Sequence, residues 1–208
     1  MIIRTIIVGS LECNCLIVSD ETTNEAFIVD PGDEPDRIAD MVHENSLAVK
    51  YIVCTHAHFD HIGAIPELKE LTKAQIVLHK DEVDVYEASE SFAKYLGFDI
   101  ESLPAPDILV AEGEIIKTGG MSFSVFHTPG HTPGGICLYG EGIIITGDTL
   151  FAGSVGRTDL PGGDIKKLRK SFQRLMGLDG KIRVVPGHGP ETTIGDEREY
   201  NFFAKELF

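Results

Sequence analysis

Apolar positions along the chain fall into short runs with two periods, one that suits strands and one that suits helices. Ile2 to Val8, Cys13 to Val18 and Ala26 to Val29 are β-type runs, parted by Gly9-Ser10 and by the polar stretch from Ser19 to Asn24. Their tight spacing predicts an antiparallel arrangement. Asp30-Pro31-Gly32 closes the third run with a turn, and Glu34 to Asn45 then sets Ile38, Met41 and Val42 on one helical face. Tyr51 to Cys54 reads as a strand and Gly63 to Leu71 as a helix, with a polar loop between them. Gln75 to Leu78 predicts a strand, Lys80 to Tyr95 a helix, and Gly97 to Pro106 a surface excursion. Met121 to Phe126 alternates as a strand, and Ile136 to Tyr139 with Ile143 to Thr146 predicts a hairpin through Gly140-Glu141-Gly142. A glycine-rich loop, Gly153 to Gly163, precedes a helix from Asp164 to Met176 capped by that aspartate. A strand from Ile182 to Val185 and a helix from Asp196 to Leu207 complete the pattern. Strands followed by helices, twice over, predict two sheets with helices outside.

Composition narrows the class. With 208 residues the chain can bury a substantial core, and it is read as one domain spanning 1–208. Its 42% hydrophobic and 25% charged content suits a globular protein, and no apolar run approaches membrane-span length. The start, Met1 to Val8, lacks the apolar core and cleavage site of a secretory signal, so a cytoplasmic location is expected. Eighteen basic against 33 acidic residues give a formal charge of -15, which repels a polyanion such as RNA. Cys13, Cys15, Cys54 and Cys137 lie in or beside apolar runs without a CxxC pair, which predicts buried, reduced thiols.

The chemistry concentrates at strand ends. Thr55-His56-Ala57-His58-Phe59-Asp60-His61 packs three imidazoles and a carboxylate between a strand and a helix, where catalytic groups tend to lie. Histidine and carboxylate are the usual ligands of zinc and of non-haem iron. Three further strands hand over to polar loops: Phe126 to His127-Thr-Pro-Gly-His131, Thr146 to Gly147-Asp148, and Val185 to Pro186-Gly-His188. Pro129-Gly130 rules out a regular helix across His127 and His131, so only one of the two need be a ligand. Asp30 either supports its turn or orients a ligand imidazole. His43 and His79, isolated in helix and strand contexts, are read as structural. Seven donors exceed one tetrahedral zinc and suffice for two ions sharing a carboxylate.

His56-x-His58-x-Asp60-His61, followed by His131, Asp148 and His188, resembles the complete ligand signature of the metallo-β-lactamase-fold hydrolases, across nearly the whole chain. The resemblance implies a four-layer αββα sandwich of two mixed β-sheets with helices on the outer faces. It implies that His56, His58 and His131 hold one divalent ion and Asp60, His61 and His188 a second, with Asp148 between them. Zinc is the expected metal, and iron and manganese suit the same donors. Thr128-Pro-Gly-His-Thr-Pro-Gly134 and Thr146-Gly-Asp-Thr-Leu-Phe151 resemble the glyoxalase II branch, the hydroxyacylglutathione hydrolases. This implies hydrolysis of thioesters such as S-lactoylglutathione by a water acidified between two cations, with Asp60 and Asp148 catalytic and Arg157 on the substrate. A small-molecule thioester is thus the expected partner, with no nucleic acid or membrane, in a monomer or small homo-oligomer.

Departures from the branch shape the alternatives. Full-length glyoxalase II enzymes carry a C-terminal helical region for glutathione, whereas only 20 residues follow His188 here. Arg157 stands where that branch has a lysine, and Asp159 where it has a tyrosine. Gly156-Arg-Thr-Asp159 is similar to the persulfide dioxygenase branch, which implies as the alternative a single iron on His56, His131 and Asp148. A non-enzymatic metal-binding or redox scaffold ranks below both. Classical β-lactamases have cysteine in place of the bridging aspartate, which weighs against antibiotic hydrolysis.

Overall fold

The structure is a computed structural model that describes residues 1–205. Its first six strands, β1 (Ile2–Val8), β2 (Cys13–Ser19), β3 (Glu25–Val29), β4 (Ala48–Val53), β5 (Gln75–His79) and β6 (Ile108–Val110), form one sheet in sequence order. The pairs β1/β2 and β2/β3 are antiparallel, as their tight turns predict, and β3 to β6 run parallel. Parallel neighbours need crossovers, and α1 (Pro35–Glu44), α3 (Ile65–Thr72) and α4 (Val83–Tyr95) lie in them. Between β4 and α3 sits a single helical turn, α2 (Phe59–Ile62).

The second sheet has the order β12-β11-β10-β9-β8-β7, made of β7 (Ile115–Thr118), β8 (Met121–His127), β9 (Ile136–Gly140), β10 (Ile143–Gly147), β11 (Arg183–Pro186) and β12 (Thr192–Thr193). Helices α5 (Ile165–Met176), α6 (Ile194–Tyr200) and α7 (Phe202–Lys205) cover its outer face. Because β9 is antiparallel to both β8 and β10, and β11 is parallel to β10, the strands β8, β10 and β11 share one direction. Their C-terminal ends therefore open at the same edge.

Side-chain alternation assigns the layers. Along β2, Leu16 and Val18 face the other sheet, while Cys13, Cys15 and Ile17 face the helices that carry Ile38, Ile65, Leu68 and Tyr86. All seven residues of β2 are buried, which is why the run is nearly continuous in apolar character. Between the sheets, Val29, Val53, Val77, Val125, Leu138, Ile145 and Val185 interdigitate around the edge-to-face pair Phe27 and Phe123, whose centroids are 5.3 Å apart. On the far side Ile144 and Val184 meet Phe172, Leu175 and Phe203. These four layers form the αββα sandwich expected of two mixed sheets. All four cysteines are buried and free.

Two sequence expectations need correction, and one segment carries no reading. The short edge strands β6 and β7 lie in a segment that carried no reading, because three- and four-residue runs offer too little alternation. The helix expected from Gly63 starts at Ile65, and the extra turn α2 takes up Asp60 and His61. The helix expected from Asp196 to Leu207 begins at Ile194, capped by Thr193 Oγ1 accepting from Asp196 N, and breaks at buried Asn201; Glu206 and Leu207 lie outside the described residues. The Asn201 amide donates to Glu197 Oε2 at 2.6 Å and to the Ser154 carbonyl at 3.0 Å, so this residue tethers the loop after β10 instead of continuing the helix. No helix among the described residues is long and apolar enough to cross a membrane.

Phe123 is fully buried at the centre of the inter-sheet layer. Phe123→Ala is expected to lower unfolding free energy by about 3–5 kcal/mol, read as an earlier urea midpoint at unchanged slope. A shift under about 1 kcal/mol would show that the two sheets are not held by this layer.

Candidate metal centre

At the open edge, β4 delivers Thr55 to His61, while β8, β10 and β11 deliver His131, Asp148 and His188. Ring nitrogens of His56, His58 and His131 lie within 4.8 Å of one another. His131 Nε2 is 2.9 Å from His58 Nδ1. On the other side His61 Nε2 is 3.1 Å from His188 Nε2 and 3.6 Å from Asp60 Oδ2, and His188 Nε2 is 3.4 Å from that same oxygen. Asp148 stands between the groups, with Oδ2 3.5 Å from His131 Nε2 and Oδ1 3.5 Å from His61 Nε2. All seven residues anticipated from the sequence thus converge in two clusters joined by one carboxylate.

The tautomers are set from behind. Asp30 is buried at the end of β3 and accepts from Thr55 N at 2.7 Å and from Thr55 Oγ1 at 2.6 Å. The same carboxylate lies 3.0 Å from His61 Nδ1, so Nδ1–H donates and Nε2 presents its lone pair to the cluster. Thr55 Oγ1, its proton committed to Asp30, accepts from His56 Nδ1 at 3.2 Å and turns that ring the same way. Backbone carbonyls do this for His131 and His188: Arg157 O lies 2.7 Å from His131 Nδ1 and Glu12 O 3.2 Å from His188 Nδ1, while His58 presents Nδ1 to the cluster. Of the two readings left open for Asp30, the ligand-orienting one matches these contacts.

Two buried atoms of the cluster, His56 Nε2 and Asp148 Oδ1, have no hydrogen-bond partner in the protein. Buried polar atoms without partners are costly, and a cation facing both would remove the cost. Imidazole lone pairs facing each other near 3 Å make the same demand. The donor set, five imidazoles and two carboxylates, therefore fits a pair of divalent cations.

Electrostatics agree. Burial, reinforced by the neighbouring imidazoles, holds His56 well below the usual histidine range, so it stays a neutral donor. Burial opposes charge on His61 too, but Cys13, Asp148, Asp60 and Asp30 outweigh it and raise its pKa well above the ordinary value. His188 is raised as well, by Asp60 and Asp148 against burial. Asp60 is held low because His61 and His188 overcome its burial.

Close approach is met by glycine. A Cβ on Gly187 would come within 2.5 Å of Asp148 Oδ1, and one on Gly156 within 3.0 Å of His131 Nδ1. Arg157 lines the same cleft, with its guanidinium in a two-pronged pair with Asp159 at 2.7 Å on both prongs. The excursion after α4 contributes Phe98, whose ring packs at 4.7 Å and a 30° tilt on Phe59 beside the centre. His79 stacks on His127 at 4.0 Å and its Nδ1 accepts from Asp81 N, so His127 lies with His79 and Asp81 in a separate cluster and His131 is the member of the His127/His131 pair that joins His56 and His58.

One functional residue escaped the sequence. Glu82, on the turn before α4, is fully buried and accepts from Ala57 N at 2.9 Å and from Gly134 N at 2.6 Å. It ties the loop holding His56 and His58 to the loop that follows His131. Nothing in its local pattern marks it, since an acid in a first helical turn is ordinary.

A model of the metallo-beta-lactamase superfamily matches residues 8–188. The chain belongs to this superfamily. It is 37% identical to the hydroxyacylglutathione hydrolase GloC of Haemophilus influenzae, over 98% of both chains. Among solved structures, TTHA1623 in a di-iron-bound form is 38% identical with a TM-score of 0.89, covering 96% of this chain and 99% of that one. The BLEG-1 B3 metallo-beta-lactamase is 34% identical with a TM-score of 0.91, covering 98% and 99%. The Asp30 and Glu82 contacts show how this chain braces the loops that carry its donor set.

Asp30→Asn is expected to weaken metal affinity about 10- to 100-fold with the fold retained, measured by chelator competition and circular dichroism. Unchanged affinity would mean that Asp30 serves only its turn. Burial pushes the Glu82 carboxyl up to about 7 from an ordinary 4.5. A folded value above the unfolded one gives a contribution that is fully present below pH 4.5 and is lost as pH rises through about 7. Metal-free protein should therefore lose thermal stability across that window, and Glu82→Gln should flatten the loss. An equally steep profile in the variant would remove Glu82 as its source.

Proposed function

We propose that the chain is a metal-dependent hydrolase of acyl thioesters. The observation that carries this reading is Asp148, whose two oxygens face separate imidazole clusters while Oδ1 lacks any partner within the protein. His56, His58 and His131 would hold one divalent ion, and Asp60, His61 and His188 the other, with Asp148 shared. Bound ions would supply Lewis acidity toward the carbonyl and a water acidified enough to attack at neutral pH. Asp60, held anionic by His61 and His188, accepts a hydrogen bond from the attacking water and aims it. Among the described residues none of those lining the cleft is a serine or cysteine, and the free cysteines Cys13, Cys15, Cys54 and Cys137 are buried with raised pKa values. Similarity to GloC supports a thioester as the bond broken. A di-iron relative makes iron a candidate beside zinc and manganese. A cytoplasmic, monomeric or small homo-oligomeric enzyme remains the accompanying expectation.

The test combines metal content of protein purified without added metal with thiol release from S-lactoylglutathione. About two ions per chain and metal-dependent thiol release are expected. Asp148→Ala should lower kcat at least about a hundredfold while far-UV circular dichroism is unchanged. One iron per chain with oxygen uptake on glutathione persulfide would replace this reading with a dioxygenase. Cephalosporin hydrolysis without thiol release would move it toward the activity named for BLEG-1.

A further inference from the structure

The cleft over the metal centre has a volume of about 530 Å³ and shares His58 and Phe92 in its wall with a second cavity of about 330 Å³. Both lie along one face of α4, where Val85, Ala88, Phe92 and Leu96 recur at helical spacing. Pro133 and Pro161, from the loops after His131 and Asp148, form the opposite wall. The His58 ring lies against Phe92 at 6.3 Å, so the apolar channel starts at a residue of the metal centre.

This channel has almost nothing to offer a polar ligand. Ser89, its one hydroxyl, is buried and directs its single proton between the Ala57 carbonyl at 2.5 Å and the Val85 carbonyl at 2.7 Å. Asp84 lines the same cavity and would repel a carboxylate-bearing arm. The cleft's only guanidinium, Arg157, is paired with Asp159. A glutathione or other amide-rich thiol arm in the channel would find only the Asp84 carboxylate to accept from it and would leave most of its hydrogen bonds to water unreplaced. A hydrocarbon chain surrenders none and buries apolar surface on both sides.

We infer that the channel along α4 binds the acyl chain of the substrate, and that the substrate class is thioesters of unbranched, apolar acyl groups of medium length. The inference rests on the thioester-hydrolase reading. The carbonyl sits beside His58 and the shared Asp148, the hydrocarbon runs past Phe92 toward Ala88 and Pro161, and the thiol arm leaves through the open mouth by Leu11 and Arg157.

The experiment compares acetyl, butyryl, hexanoyl and octanoyl thioesters of N-acetylcysteamine on the metal-loaded protein. kcat/KM should rise about two- to fourfold per added methylene, and Ala88→Phe, which fills the channel from an exposed helical position, should cut the octanoyl-to-butyryl ratio at least about tenfold. Hydrolysis that is flat or falling with chain length overturns the channel assignment and leaves thioester hydrolysis standing. If no thioester is cleaved, the reading of the reaction fails, and calorimetry with octanoate and butyrate still decides the channel. Octanoate binding at least about tenfold tighter, with the difference lost in Ala88→Phe, supports it. Equal affinities overturn it.

Discussion

The site depends on one buried carboxylate at the end of β3. Asp30 takes the Thr55 amide, the Thr55 hydroxyl and the His61 ring, and through the hydroxyl it also fixes His56. One residue of each imidazole cluster is therefore oriented by the same acid. Its backbone, with φ of 51°, lies in the left-handed region that aspartate tolerates better than most residues. The turn and the ligand orientation are thus two uses of one strained position. Because β3 and β4 are parallel neighbours, Asp30 and Thr55 leave the sheet side by side, and the network follows from strand order.

Strand direction explains why seven donors scattered over more than half of the chain can meet. In one sheet β4 ends at the common edge; in the other β8, β10 and β11 share a direction and end there too. The inter-sheet layer around Phe27 and Phe123 fixes how far apart those ends lie. Packing inside a sandwich is close, so an error of one methylene there would be felt as a change in the distance between the imidazole clusters.

Much of this was legible in the sequence because chemistry and periodicity reinforced each other. Every strand that feeds the site was visible, and His56, His58, Asp60, His61, His131, Asp148 and His188 were marked by their places just past strand ends. The capping of α5 by Asp164 was equally plain, and its carboxylate accepts from Lys166 N and Lys167 N. What stayed hidden depends on tertiary contacts alone. Glu82 differs from a surface acid only because Ala57 and Gly134, far from it in sequence, bring their amides to it. Asn201 breaks a well-patterned helix because its amide serves Ser154 and Glu197. The strands β6 and β7 are edge pieces whose pairing, not composition, makes them strands.

The electrostatics of the donor set follow from where its carboxylates lie. Asp30, Asp60 and Asp148 bring three carboxylates into a region closed off from water on most sides, within a chain of formal charge -15. Such a cluster needs positive charge nearby. Without cations it can come only from protons, and it is His61 and His188, the imidazoles nearest the carboxylates, whose pKa values are raised. His56, which lies deeper among other imidazoles, is driven the opposite way. The two clusters are therefore unlike: carboxylates crowd the Asp60 side, while the His56 ring is packed among other imidazoles.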